Sequence, residues 1–206
     1  MTEQRGPDLL AAAMMLIAER GWRGYGPVEL ARRTGVPLAA VYAAFPARGA
    51  VLRRLGERLD SEMLAISAAE LAEMTPRERL FELLMRRFDA MAPYREALGR
   101  MSRPSGADVE AVAMSLCNLG RVACWLVNAV DGPRSGLAGL AARKAVLLVY
   151  ARTFSVWLVD DTEDRARTLA ELDRRLGQLE SLAGWAGRFC RRGGGRRAGS
   201  AETAAA

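Results

Sequence analysis

Between positions 9 and 179 the apolar residues of this chain recur every third or fourth position, and few segments alternate at a period of two. That spacing lines one face of a helix rather than of a strand, so it predicts an all-α protein of about nine helices. The chain has 206 residues, half of them hydrophobic. It can therefore bury one large core or two smaller ones.

Proline, glycine and capping residues divide the periodic stretches. A first helix is expected over 7–20, with Pro7 in its first turn and Gly21 as its stop, and Leu9, Leu10, Ala13, Leu16 and Ile17 on one face. Trp22 and Tyr25 follow in a glycine-rich turn. A second helix is expected over 27–35 and a third over 38–45. After Pro46 a long fourth helix carries Val51, Leu52, Leu55, Leu59, Met63 and Ile66 at three- and four-residue spacing. Thr75-Pro76-Arg77-Glu78 opens a fifth, because threonine can cap while the glutamate reaches back. Pro93 breaks that helix and a short sixth ends near 101. The segment 108–130 is apolar almost all round and reads as the central buried helix. Another helix spans 136–159, and Asp160 or Asp161 caps the last one. The expected division is an N-terminal unit over 1–50, a helical domain over 51–187 and a disordered basic tail over 188–206.

Several function classes are excluded or disfavoured by residue content. There is no histidine, which removes histidine acid–base chemistry, serine and cysteine triads built on it, and histidine metal ligands. No metal-ligand cluster stands out. The one glycine run, Gly193-Gly194-Gly195, follows no strand and does not read as a phosphate loop. An enzyme is the weakest class, and no cofactor is expected. Cys117 and Cys124 read as core thiols; with Cys190 the count is odd, which suits a reducing cytoplasm. The apolar run over 9–18 is flanked by Asp8 and Glu19 with no cleavage signal, and no run reaches a membrane-span length. Nine arginines stand against six acids over 1–60, and five against one over 188–206. A basic excess at those two ends permits contact with nucleic acid. Lys144 is the only lysine, so arginine usage by itself does not establish phosphate binding.

Residues 35–45, Gly-Val-Pro-Leu-Ala-Ala-Val-Tyr-Ala-Ala-Phe, place a glycine turn between two short helices, the layout of a helix-turn-helix. Its framework is Gly35, Val41, Tyr42 and Phe45. Its reading face is Leu38, Ala39, Ala40, Ala43 and Ala44, which have no side-chain donors. These residues can touch thymine methyls but cannot make bidentate base contacts. Specific readout then falls to Arg23, Arg32, Arg33 or an arginine of the fourth helix.

Leu10, Ala13, Glu19-Arg20-Gly21-Trp22, Leu30-Ala31, Gly35-Val36, Val41-Tyr42, Phe45, Arg48 and Val51-Leu52 together resemble the TetR family of bacterial transcription regulators, over about fifty residues and without a gap. The resemblance implies that helices one to three bind a pseudo-palindromic double-stranded operator, helices four to seven enclose a small apolar effector, and helices eight and nine form a homodimer. It places Arg48 where the family usually has a lysine near a phosphate, and Tyr42 where a hydroxyl meets the DNA backbone. Tyr42 and Phe45 as core aromatics, with Arg48 in solvent, is the alternative. Tyr25-Gly26, Pro37, Ala39 and Ala44 depart from the family pattern, and Tyr25-Gly26 and Pro37 stand where it usually has a Ser or Thr hydroxyl that could bond phosphate.

Two further expectations concern the C-terminal helices. An apolar pocket is expected among Phe81, Met85, Phe88, Met91, Tyr94, Met101, Met114, Leu116, Cys117, Trp125 and Phe154. Its candidate polar anchors are Asn118, Arg121, Asn128 and Thr153. Leu169, Leu172, Leu176 and Leu179 form a heptad seam that, with Leu147 and Trp157, is expected to serve the dimer. Trp157-Leu158, Asp160-Asp161, Thr168 and Leu172-Asp173-Arg174-Arg175 also resemble the C-terminal pattern of lipid-binding ubiquinone-biosynthesis proteins with a TetR-like fold. A lipid-binding accessory protein with a degenerate helix-turn-helix is therefore the alternative to a regulator.

Overall fold

The structure, a computed structural model, describes residues 8–103 and 108–194, with side chains through Ser181. Its elements are α1 (Leu9–Gly24), α2 (Pro27–Thr34), α3 (Leu38–Ala44), α4 (Gly49–Met63), α5 (Ala68–Glu73), α6 (Pro76–Met91), α7 (Arg95–Met101), α8 (Val109–Ala129), α9 (Gly136–Trp157) and α10 (Ala166–Gly194). No strand occurs among the described residues. The all-α expectation holds, with the short α5 added where the fourth and fifth helices were read as adjacent.

Local chemistry accounts for most helix ends. Asp8 caps α1, its carboxylate accepting from the Leu10 and Ala11 amides at 3.1 Å, and the expected first-turn Pro7 lies outside the described residues. Gly21 breaks α1 with φ 74°, a left-handed value that disfavours side chains, and one further turn follows it. Gly35 at φ 68° makes the turn between α2 and α3. Thr75 and Glu78 form the expected capping box on α6, the kind of cap that stabilises a helix by about 1 kcal/mol. Pro93 sits in a 3-10 turn between α6 and α7.

α1, α2 and α3 form a compact unit around Ala13, Leu16, Ile17, Leu30, Val41 and Phe45, all buried. Trp22 and Tyr25 pack beneath it with ring centroids 6.0 Å apart. Burial pushes the Tyr25 hydroxyl pKa up to about 12, against the opposing charge of Arg48. α4 leaves this unit and packs against α6 and α8, while α8 packs against α9, and α9 against α10. Phe88, Tyr150, Phe154 and Trp157 stack in succession with centroids 5.6 to 6.1 Å apart, joining α6 to α9.

Four expectations about this bundle are corrected. α8 is not buried all round: Val109, Val112, Leu116 and Trp125 are exposed, as are Cys117 and Cys124, which are therefore not core thiols. α4 and α9 cover only part of this helix, and apolar residues on its remaining face stay at the surface. α8 is also long and apolar enough, by length and composition, to cross a membrane; here it packs as a member of the bundle. The Asp160 cap is not an adjacent one: α10 starts only at Ala166, and Thr168 lies in its first turn. Asp160 reaches across the loop, accepting from the Thr168 amide at 2.8 Å and from the Thr162 and Thr168 hydroxyls at 2.6 Å. Finally, α10 continues to Gly194, through the start of the expected tail. Residues 195–206 lie outside the described residues.

Candidate functional site

The two short helices α2 and α3 present the candidate nucleic-acid surface. Val41 and Phe45 turn inward, so Leu38, Ala39, Ala40, Tyr42, Ala43 and Ala44 turn outward. Tyr42 is 63% exposed, which removes the reading of it as a core aromatic. Phe45 is in the core. The outward face is as poor in donors as its sequence indicated.

The arginines around it differ in their freedom to reach a partner. Arg32 is 75% exposed and, among the described residues, pairs with Glu29 at 3.6 Å. Arg33 is pinned to Glu19 by two hydrogen bonds of 2.6 and 2.7 Å. Arg48 is turned inward: its guanidinium donates to the Trp22 carbonyl and lies 5.1 Å over the Trp22 ring. It is therefore not the solvated side chain of the alternative reading, and a role at phosphate requires it to leave Trp22. Arg23 is exposed on the last turn of α1.

The N-terminal unit is fastened to the rest of the molecule through the start of α8. The Trp22 Nε1 donates to Asp108 Oδ1 at 3.2 Å, and that carboxylate also caps α8. The Gly49 amide, at the start of α4, donates to Glu110 Oε1 at 2.9 Å. Met114 packs on Gly49, where a Cβ would lie 3.0 Å from its Cγ. Further along, the Asn118 amide donates to the Leu52 carbonyl at 2.8 Å, and Asn118 and Arg121 press against Gly56. α4 and α8 are thus in register contact from the helix-turn-helix into the body of the bundle.

Between those helices and α9 lies a cavity of about 680 Å³, within the range typical of small-molecule sites. α4 lines it with Leu52, Leu55, Gly56 and Leu59, and α9 with Tyr150 and Phe154, followed by Leu158 at the end of that helix. Val112, Leu116, Ala151, Ser155 and Val159 are exposed lining residues and form its outer edge. Asp108 lines it as well, so one carboxylate faces the cavity and holds Trp22. Arg87 of α6 reaches the cavity while only 2% exposed. Its Nη1 donates to Asp60 Oδ1 at 2.5 Å, and Arg121 Nε donates to Asp60 Oδ2 at 2.5 Å.

Of the expected pocket residues, Met91, Met101, Leu116, Asn118 and Phe154 line this cavity. The others do not. Phe88 is fully buried behind Tyr150. Phe81 and Met85 pack against the core elsewhere, Met114 covers Gly49, and Tyr94 receives a 3.3 Å hydrogen bond from Arg58. Cys117 and Trp125 lie on the exposed face of α8, with Trp125 47% exposed. Arg121 stands behind the lining, on Asp60. Asn128 is exposed, and Thr153 is buried with no hydrogen-bond partner among the described residues. Arg87 and Asp60 were not anticipated. They are 27 positions apart on different helices, and no local spacing marks such a pair.

The expected dimer set is also redistributed. Trp157, Leu172 and Leu176 are buried within the chain, so the heptad seam packs α10 onto its own α9 and α6. Leu147, Leu169 and Leu179 are half-buried. The outward apolar residues of α9 are instead Leu137, Leu140 and Leu148. The segment that resembles the ubiquinone-biosynthesis proteins forms the α9–α10 corner. There Arg95 lies 5.5 Å over Trp157 and donates to the Leu158 and Asp160 carbonyls, and Asp173 pairs with Arg77 at 2.8 Å.

The described residues thus form an all-helical bundle with a helix-turn-helix at one end and a cavity in the part that carries it. Residues 9–55 match the family model described as bacterial regulatory proteins, tetR family. The chain thus carries the N-terminal domain of that family, and the fold of its transcriptional regulators. Among solved structures, a TetR transcriptional regulator from Nitrosomonas europaea is similar at 23% identity and TM-score 0.67, over 86% of this chain and 96% of that one. A tetR-family regulator from Streptomyces coelicolor is similar at 19% identity and TM-score 0.64, over 89% and 85%. The regulator FadR from Bacillus subtilis, solved in complex with stearoyl-CoA, is similar at 17% identity and TM-score 0.54, over 83% and 95%. No curated protein matches the chain in sequence.

Proposed function

We propose that this chain is a DNA-binding transcriptional repressor that acts as a cytoplasmic homodimer and is released from its operator by a small apolar effector. The observation that carries the reading is the continuity of α4, which begins beside the helix-turn-helix at Gly49 and lines the cavity at Leu52, Leu55, Gly56 and Leu59. A ligand can shift an equilibrium only by binding its two states differently. A molecule that fits the cavity in one arrangement of α4 and α8 better than in another would bias the position of α1–α3 through the Trp22–Asp108 and Gly49–Glu110 bonds. The stearoyl-CoA complex of FadR supports an apolar ligand for this fold. Leu137, Leu140 and Leu148 give α9 an outward apolar stripe suited to a second copy, which would place two recognition helices on successive major grooves.

Exposed arginines such as Arg32 would supply phosphate contact, and Tyr42 would offer its hydroxyl to the backbone. Leu38 and Ala40 would meet thymine methyls, so affinity would owe more to charge and shape than to base hydrogen bonds. A mobility-shift assay at low salt with DNA from upstream of the protein's own coding sequence tests the reading. Retarded DNA that is released on raising salt is expected, and no retardation at any protein concentration contradicts it.

The donor-poor face of α3 together with the cavity favours one second reading, a lipid-binding accessory protein whose helix-turn-helix no longer reads DNA. Native mass spectrometry of the protein from its own host separates the two. A stoichiometric co-purifying lipid with no DNA binding supports the second.

A further inference from the structure

We propose that the effector is an apolar molecule ending in a carboxylate, and that Arg87 holds the carboxylate; the proposal rests on the reading of the cavity as the effector site. Most of the cavity is lined by apolar side chains, leucines foremost, with Arg87 at its α6 wall. A guanidinium that is 98% buried needs both counter-charge and acceptors for its donors. Arg87 has one acceptor, Asp60, at Nη1, and its Nε has none among the described residues. Asp60 is shared, since Arg121 donates to its other oxygen, and Arg121 Nη2 is also buried without a partner among the described residues.

The cluster behind the cavity therefore holds two cations against one anion, with two buried N–H donors unmet. The remaining charged lining residues, Arg103 and Asp108, offset each other. The Tyr150 ring beneath Arg87, 5.9 Å from the guanidinium, supplies a weak cation–π contact but no acceptor for the Nε proton. A ligand carboxylate beside Arg87 would accept from Nε and neutralise the excess charge, and a guanidinium edge matches a carboxylate's two oxygens. The apolar remainder of such a molecule would lie along Leu55, Leu59, Met91 and Phe154. A neutral ligand of the same length would leave the Nε donor and the charge as they are.

The test is titration calorimetry of the full chain with decanoate, 1-decanol and decyltrimethylammonium, repeated with Arg87→Gln. Asp60 keeps Arg121 as its partner in that variant, and circular dichroism checks its fold. Decanoate is expected to bind at least about tenfold more tightly than 1-decanol, as a charge-assisted hydrogen bond in a buried site implies. Arg87→Gln should erase that preference while still binding 1-decanol. Equal binding of acid and alcohol, or tighter binding of the alcohol or the cation, overturns the assignment of the head group and leaves the cavity as an effector site. Binding of none of the three overturns both. If Arg87→Gln does not fold, the ranking of the three probes on the unaltered protein decides the matter.

Discussion

The Trp22 indole and the Asp108 carboxylate, 86 residues apart in sequence, meet at 3.2 Å across the boundary between the helix-turn-helix unit and the helical bundle that holds the cavity. Asp108 lines the cavity, caps α8 and holds Trp22, whose ring lies beneath Arg48. Three roles on one carboxylate make Asp108 a bonded link between the cavity and the helix-turn-helix unit. Asp108→Ala removes the cap and leaves the indole N–H unpaired, and is expected to destabilise the chain by about 1–2 kcal/mol in urea melts. Unchanged stability would mean that solvent replaces both bonds.

The α4–α8 contact gives a sign that helix propensity alone would miss. Gly→Ala in a helix interior ordinarily stabilises by up to about 1 kcal/mol. At Gly56 the new Cβ would fall 2.6 Å from Asn118 Oδ1 and 2.7 Å from Arg121 Nη2, so Gly56→Ala should lower the melting temperature. Gly120→Ala meets nothing within 4 Å and should raise it. The same sign at both positions would contradict the packing of α4 on α8.

Contact with DNA should divide the arginines by their present partners. Arg32→Ala, which loses only a 3.6 Å surface pair with Glu29, should weaken binding across sequences and lower the slope of affinity against salt by about one. It should leave the melting temperature nearly unchanged. Arg48→Ala removes the carbonyl bond and ring contact at Trp22, and should destabilise the N-terminal unit as well. A salt slope unaffected by Arg32→Ala would exclude that residue from the interface.

Asp160 links the α9–α10 corner to pH. Burial acts to raise its pKa, but hydrogen bonds from Thr162 and Thr168 outweigh that and hold it well below the usual carboxylate range. A depressed native value contributes stability above the unfolded value of about 4, and that contribution is lost as pH falls towards the native value. Asp160→Asn should therefore be less stable than the parent at pH 7, and its stability should fall less steeply with acid below about pH 4. Parallel pH profiles would show that the threonine bonds do not stabilise the ionised form.

The sequence carried the fold well where a local rule decides the backbone. Gly35 in its turn, Thr75 with Glu78, and Pro93 each act within a few residues, and each stands where it was expected. Helix faces were harder. Trp157, Leu172 and Leu176 have a seam's spacing whether the partner is the same chain or another, and the structure places them inside. Cys117 and Trp125 are apolar residues on a face of α8 that no neighbouring helix covers, which their residue types alone do not reveal. The Arg87–Asp60–Arg121 cluster joins three helices, a juxtaposition that exists only once α4, α6 and α8 have packed.

Whether this chain reads DNA as a dimer is tested by selection from a random double-stranded DNA pool by the protein at low salt. The expected outcome is enrichment of inverted repeats whose half-sites lie about one helical turn, roughly 34–36 Å, apart. A retained pool with no shared pattern, or no retained DNA, would contradict it.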